Sequence, residues 1–194
     1  MTSKDIIIEE LLEGAYIRKD FEGFETDYKV THCLLRKYKP ISVFEIGTCT
    51  GQGINVLYSA LPEAWICSLD LDYEEMLKNP KEFPIGPNGE DRVGSAAKFP
   101  YAQFRADSKT FDYTQYPCQA YFIDGEHTEK GVFLDTEGVL KVHPKLIIWH
   151  DADLPEVRDG IDAAMIDYQS VNGYPYIIHY LNDCRIAFAV REPL

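Results

Sequence analysis

Strand-like and helix-like segments alternate through this chain, and that alternation leaves few folds open. Ser42-Val43-Phe44-Glu45-Ile46 is a short apolar run ending at Gly47, and residues 51–61 follow with Ile54, Val56, Leu57 and Ala60 near helical spacing. The unit recurs as 64–69 with 71–78, 102–105 with a short segment, 120–123 with 128–140, and 146–149 with 154–171. Five strand-then-helix units in a row imply a parallel sheet covered by helices on both faces. The tail departs from this. Residues 176–180 and 185–190 are β-rich runs joined through Asn182-Asp183, a connection too short for a parallel crossover, so they pair antiparallel. The expectation is an α/β fold with a doubly wound seven-stranded sheet, mostly parallel, with one antiparallel strand near the C-terminus. Residues 4–12 and 26–37 read as helices ahead of it, giving one domain over 1–194 with N-terminal helices in 1–40 and the core in 41–194.

Composition narrows what such a domain binds. At 194 residues and 45% hydrophobic content the chain suits a single core. Its formal net charge of −13 repels phosphate backbones and anionic lipid headgroups, so neither nucleic acid nor a membrane surface is an expected partner. The five cysteines (Cys33, Cys49, Cys67, Cys118 and Cys184) are far apart and form no Cys-x-x-Cys pair, which suggests neither a disulfide framework nor a zinc site and fits a reducing compartment. The opening MTSKDIIIEELLEG reads as no signal peptide, and no stretch approaches the ~18 apolar residues of a membrane span. A cytoplasmic protein is expected.

The turn Gly47-Thr48-Cys49-Thr50-Gly51-Gln52-Gly53 follows the first strand and opens a helix, where a nucleotide-binding turn belongs. A dinucleotide site wants Gly at the first, third and sixth positions, and this chain offers Gly47, Cys49 and Gln52. Glu45, two residues before the first glycine, would repel a pyrophosphate and suit a cationic ligand. S-adenosyl-L-methionine carries an ammonium and a sulfonium and no phosphate. An acid about 20 residues past the turn is the expected ribose anchor. Asp70, followed by Leu71, stands there at the end of the second strand, with Asp72 as fallback. At the end of the third strand, Asp107 and Ser108 can present a carboxylate and a backbone group to an adenine. The alternative is structural: Glu45 caps or pairs and the glycines only tighten a turn.

The segment Val43-Phe44-Glu45-Ile46-Gly47-Thr48-Cys49-Thr50-Gly51 resembles the first motif of class I S-adenosylmethionine-dependent methyltransferases, in the E-I-G-x-x-T-G form of the catechol and caffeoyl-CoA O-methyltransferase branch. Tyr121-Phe122-Ile123-Asp124-Gly125-Glu126-His127, then Ile147-Ile148-Trp149-His150-Asp151, is similar to the F-I-D-G-x-H and H-D signatures of a bacterial methyltransferase subgroup often linked to sugars and secondary metabolites. The resemblance covers roughly residues 40–165. It implies the Rossmann-like methyltransferase fold and methyl transfer, with Glu45, Gly47, Thr48, Cys49, Gly51, Asp70, Leu71, Asp107, Ser108 and Asp124 around the cofactor.

Asp124, His127, His150 and Asp151 fall just past the fourth and fifth strands and are the catalytic candidates. Methylating a hydroxyl requires loss of its proton, which a base or a metal can achieve. In the catechol-type branch a divalent cation is held by an Asp after the fourth strand and an Asp-Asn pair after the fifth, which by position implies Asp124 and Asp151 as ligands. His150 departs from that pattern, and imidazole suits later metals better than Mg²⁺. Two routes stay open: a cation on Asp124, Asp151 and waters, or metal-free chemistry with His150 or His127 as base and a carboxylate orienting it. Structural alternatives also stand: Asp124 as a loop cap, His127 as neighbour to a helix cap, and His150-Asp151 as a bonded pair. His143 and His179 read as structural. A two-histidine iron site would want His-x-Asp, and Ala152 holds that place.

Tyr16, Phe21, Phe24 and Tyr28 lie where an N-terminal segment would fold over the site, as pocket lining or ordinary packing. Residues 79–100 carry four prolines and three glycines, as either a lid or binding loop or surface padding. The function implied is O-methylation of a small-molecule hydroxyl, on a sugar or natural-product intermediate, with a neutral or cationic acceptor favoured. Its rivals are a cofactor-binding protein without catalysis and a nicotinamide oxidoreductase. Oligomeric state stays open, a homodimer included.

Overall fold

The structure, a computed structural model, describes residues 26–173, 176–181 and 184–191. The helix expected over 4–12, the aromatics Tyr16, Phe21 and Phe24, and the Asn182-Asp183 turn lie outside the described residues. The described elements are α1 (Thr26–Tyr38), β1 (Ser42–Ile46), α2 (Gln52–Ala60), β2 (Trp65–Asp70), α3 (Tyr73–Met76), β3 (Ala102–Arg105), β4 (Ala120–Ile123), α4 (Glu129–Leu140), β5 (Leu146–Trp149), α5 (Pro155–Asn172), β6 (Tyr176–Tyr180) and β7 (Ala187–Arg191). Two single 3₁₀ turns, Ser108–Thr110 and Tyr113–Gln115, lie between β3 and β4.

The seven strands form one sheet in the order β3-β2-β1-β4-β5-β7-β6. β1 to β5 are parallel, and β7 runs antiparallel to both β5 and β6. The expected sheet and its one antiparallel strand are therefore present. Central strands are buried on both faces, as the unbroken apolar runs AYFI and LIIW require. On one face Val43, Ile66, Phe122 and Ile148 pack with Val30 and Leu34 of α1 and Ile54 and Leu57 of α2. On the other, Phe44, Tyr121, Ile147 and Trp149 pack with Val132 and Val139 of α4 and Ile161 and Met165 of α5. Thr128 caps α4 by accepting from Gly131 N–H (3.1 Å), and Pro155 opens α5, where a missing N–H costs nothing.

Two elements are shorter than expected. The helix foreseen over 71–78 is the single turn α3, because the chain then enters the proline-rich stretch beginning at Asn79-Pro80. β7 begins at Ala187 rather than 185, because Arg185 is bent out of the strand by its bonds to Asp27.

Candidate active site

Backbone hydrogen bonds carry the sheet one residue beyond its paired strands at the carboxyl edge. Ala106 N–H donates to Asp70 O (3.0 Å), Gly47 N–H to Leu69 O (2.9 Å), Asp124 N–H to Ile46 O (2.8 Å) and His150 N–H to Ile123 O (3.0 Å). The residues that follow these bonds are thereby aligned along one edge. Strand order reverses between β1 and β4, and ligands of open α/β sheets bind outside that crevice. Gly47 sits at the switch with φ +95°, and a Cβ on it would overlap the Asp124 carbonyl oxygen, so only glycine lets the two loops meet.

Asp70 ties the glycine turn to β2: Oδ2 accepts from Cys49 N–H (2.7 Å) and Oδ1 from Leu71 N–H (2.8 Å). A carboxylate offers about four acceptor positions, so two stay available for a pair of ribose hydroxyls. Burial raises the Asp70 pKa despite those two N–H groups and Arg105 beside it. Glu45 lies beneath the turn rather than on it, 1% exposed. Ser68 Oγ donates to its Oε2 (2.5 Å), Ser68 and Thr48 hydroxyls are 2.6 Å apart, and Gln103 Nε2 donates to Thr48 Oγ1 (3.0 Å). A Cβ on Gly53 would overlap Glu45 Oε1, so the first turn of α2 needs that glycine to close over the acid. Burial, with Asp124 and Asp70 nearby, pushes the Glu45 pKa well up. Asp107 is exposed after β3 and accepts from Lys109 N–H (3.0 Å), while Ser108 starts the adjoining 3₁₀ turn.

Asp124, His127, His150 and Asp151 converge. His150 Nδ1 lies 2.9 Å from Asp151 Oδ2 and 3.3 Å from Asp124 Oδ1, and His127 Nε2 lies 3.1 Å from Asp151 Oδ2. The two imidazoles differ in access. The His150 side chain is 8% exposed and that of His127 is 47%. Burial alone would lower the His150 pKa, but Asp124 and Asp151 outweigh it and raise it to about 10. His127 is also raised, chiefly by Asp124. Asp151 is held low: burial would raise it, and His150, His127 and Arg185 overcome that. Its φ of +53° lies in the left-handed region, which Asp adopts more readily than most residues with a side chain.

Two residues of this cluster have no motif to announce them. Asp27, in the first turn of α1, accepts from Arg185 Nε (2.7 Å) and Arg185 N–H (3.2 Å) and stands 3.6 Å from His150 Nε2. Arg185 Nη1 donates to Asp151 Oδ1 (3.0 Å). Tyr28 stacks on His150 with ring centroids 6.2 Å apart, which brings one of the four N-terminal aromatics to the site. Ser68 and Gln103 were also missed, although a serine inside the buried run Ile66–Leu69 is itself a signal, since a buried hydroxyl needs a partner.

The donor set suits a divalent cation: carboxylate oxygens of Asp124 and Asp151 and a nitrogen of His127 all lie within 4.8 Å of one another. The positive side chains at this edge are already engaged, Arg105 with Asp91 (2.7 Å), Lys109 with Glu126 (2.7 Å) and Arg185 with Asp27 and Asp151. A polyphosphate would find no uncommitted partner among these three.

Comparison with solved structures gives the architecture its name. The chain has the class I methyltransferase fold. It superposes on the SAH-bound methyltransferase PaMTH1 of Podospora anserina with TM-score 0.57 at 12% identity, over 99% of this chain and 91% of that one. Against the SAH complex of an O-methyltransferase from Bacillus cereus the TM-score is 0.56 at 16% identity, over 99% and 93%. MycE of the mycinamycin biosynthetic pathway, solved with Mg, SAH and mycinamycin VI, gives 0.56 at 16% identity over 97% of this chain and 55% of its own, so this chain spans about half of MycE. No protein-family model and no curated protein sequence matches the chain. No helix among the described residues is long and apolar enough to cross a membrane.

Proposed function

We propose that this protein is an S-adenosylmethionine-dependent O-methyltransferase acting on a hydroxyl of a small molecule, a sugar or natural-product intermediate. The observation that carries the reading is the alignment of the glycine turn, Asp70, Asp107, Asp124 and His150-Asp151 along one sheet edge by the backbone bonds past each strand. The likeness to methyltransferases solved with SAH supports it. Asp70 takes the ribose hydroxyls with its two remaining acceptor positions, and Asp107 and Ser108 flank the adenine. Glu45 acts from below, keeping the turn in shape through Ser68 and Thr48. A neutral or cationic acceptor suits a cleft edged by Asp27, Asp124 and Asp151.

Of the two histidines, His127 is the better-placed proton acceptor. Half its side chain is exposed, and Asp151 orients its Nε2, whereas His150 is enclosed between Asp124, Asp151 and Asp27. His150 is thus the positioning cation that keeps these carboxylates together. A second reading is favoured by the convergence of Asp124, His127 and Asp151. These three would hold a divalent cation, which when bound acidifies an acceptor hydroxyl.

Binding separates the cofactor residues from the catalytic ones. Asp70→Ala is expected to abolish SAH binding in calorimetry, while His127→Ala binds SAH nearly as wild type and slows turnover by the ~10²–10⁴ of a lost general base, and His150→Ala binds SAH nearly as wild type with slowed turnover. Undiminished SAH binding by Asp70→Ala contradicts the assignment.

A further inference from the structure

The 79–100 segment, with no helix or long strand of its own, is fastened to the ligand edge at several points. Gly94 N–H donates to Cys49 O (2.9 Å) and Ala96 N–H to Thr50 O (2.8 Å), so two carbonyls of the glycine turn are satisfied by this loop. Ala97 packs against Gly51. From α2, Asn55 holds the loop on both sides: Nδ2 donates to Ala96 O (3.0 Å) and Oδ1 accepts from Lys98 N–H (2.8 Å). One turn further along α2, Tyr58 stacks on Phe99 with centroids 3.9 Å apart and planes 7° from parallel. The other end is tied beside Asp70. Tyr73 OH donates to Gly89 O, and Arg105 joins Asp91 (2.7 Å) to Leu71 O (3.1 Å).

The turn needs outside support. Cys49 has φ +45°, a left-handed conformation that a residue with a side chain adopts only when its surroundings hold it there. Asp70 fixes the N–H of Cys49, and Gly94 fixes its carbonyl.

We propose that Asn55 is a positioning residue for cofactor binding: by clamping residues 96–98 against α2 it keeps the 79–100 loop on the glycine turn and the turn in its ligand-binding shape. The inference rests on the S-adenosylmethionine reading above. Once the loop lifts, the Cys49 and Thr50 carbonyls lose their donors and the turn spreads over other conformations. Apparent affinity then falls in proportion to the competent fraction. Asn55 is assigned no contact with the ligand, so its effect reaches the site only through the loop.

The test titrates wild type and Asn55→Ala with SAH by calorimetry and melts both without ligand. Removing both amide bonds is expected to weaken SAH binding by about tenfold, with the ligand-free melting temperature close to wild type. Asn55→Asp keeps the acceptor for Lys98 N–H and loses the donor to Ala96, so an intermediate loss of about threefold is expected, and it decides the matter should the alanine variant fail to fold. Wild-type affinity in the folded variants overturns the clamp. A lowered melting temperature with unchanged affinity overturns it as well, since that is a structural role alone. If wild type itself binds no SAH, the methyltransferase reading fails and takes the clamp with it; if wild type binds and the variants match it, only the clamp fails.

Discussion

Asp135 shows what one residue can reveal about a fold. It lies on the inward stripe of α4 with Val132, Thr136 and Val139, fully buried, with the Ser108 side chain beside it. Burial raises its pKa to about 7, with Ser108 pulling the other way. The folded protein therefore keeps a proton that the unfolded chain releases near pH 4. This residue costs no stability below that pH, an increasing amount as pH rises towards 7, and a constant amount above, on the order of 4 kcal/mol at most. Asp135→Asn removes the ionisation. Thermal melts across pH 4 to 8 are expected to give near-equal stability at pH 4 and a more stable variant at pH 8. A variant less stable than wild type at pH 8 contradicts the assignment. The same scale shows what the sequence makes legible. Gly47, Asp70, Asp124 and His150-Asp151 could be located because polar residues directly after apolar strand runs are bound to reach the carboxyl edge. Asp27 and Arg185 could not, since they meet across 158 residues and neither belongs to a local pattern.

Asp27 and Arg185 also join elements. They fasten the start of α1 to the corner before β7, and Arg185 passes the connection on to Asp151 after β5. Asp27 is nearly buried, while Arg185 is 41% exposed, so losing the cation leaves a carboxylate poorly solvated. Arg185→Gln and Asp27→Asn should each lower the melting temperature, and the double variant should lose less than the two together, with a coupling of roughly 0.5–3 kcal/mol. Additive losses would mean the pair does not act as a unit. Periodicity located α1, α2, α4 and α5 to within a residue or two because each buries an amphipathic stripe against the sheet. It failed at α3 and at the start of β7, where Pro80 and the Asp27 contact overrode the local pattern.

Across the whole molecule, the net charge of −13 is locally organised. Asp27, Asp70, Asp107, Asp124 and Asp151 gather at one edge, while Glu45 stays beneath it, and Arg105, Lys109 and Arg185 there are already in ion pairs. Such an edge is the ground for proposing a cationic cofactor rather than a pyrophosphate. The 79–100 loop docks on the glycine turn of that edge; its prolines and glycines leave a binding loop and surface padding both open, because composition fixes a loop's irregularity but not the surface it docks on. The most direct measurement is calorimetry of the purified protein with S-adenosylmethionine, SAH and NAD, each with Mg²⁺ and with EDTA. Binding of the first two and none of NAD is the expected result, with the EDTA arm deciding whether Asp124, His127 and Asp151 work with a cation. Tight NAD binding without response to either sulfur ligand would contradict the account.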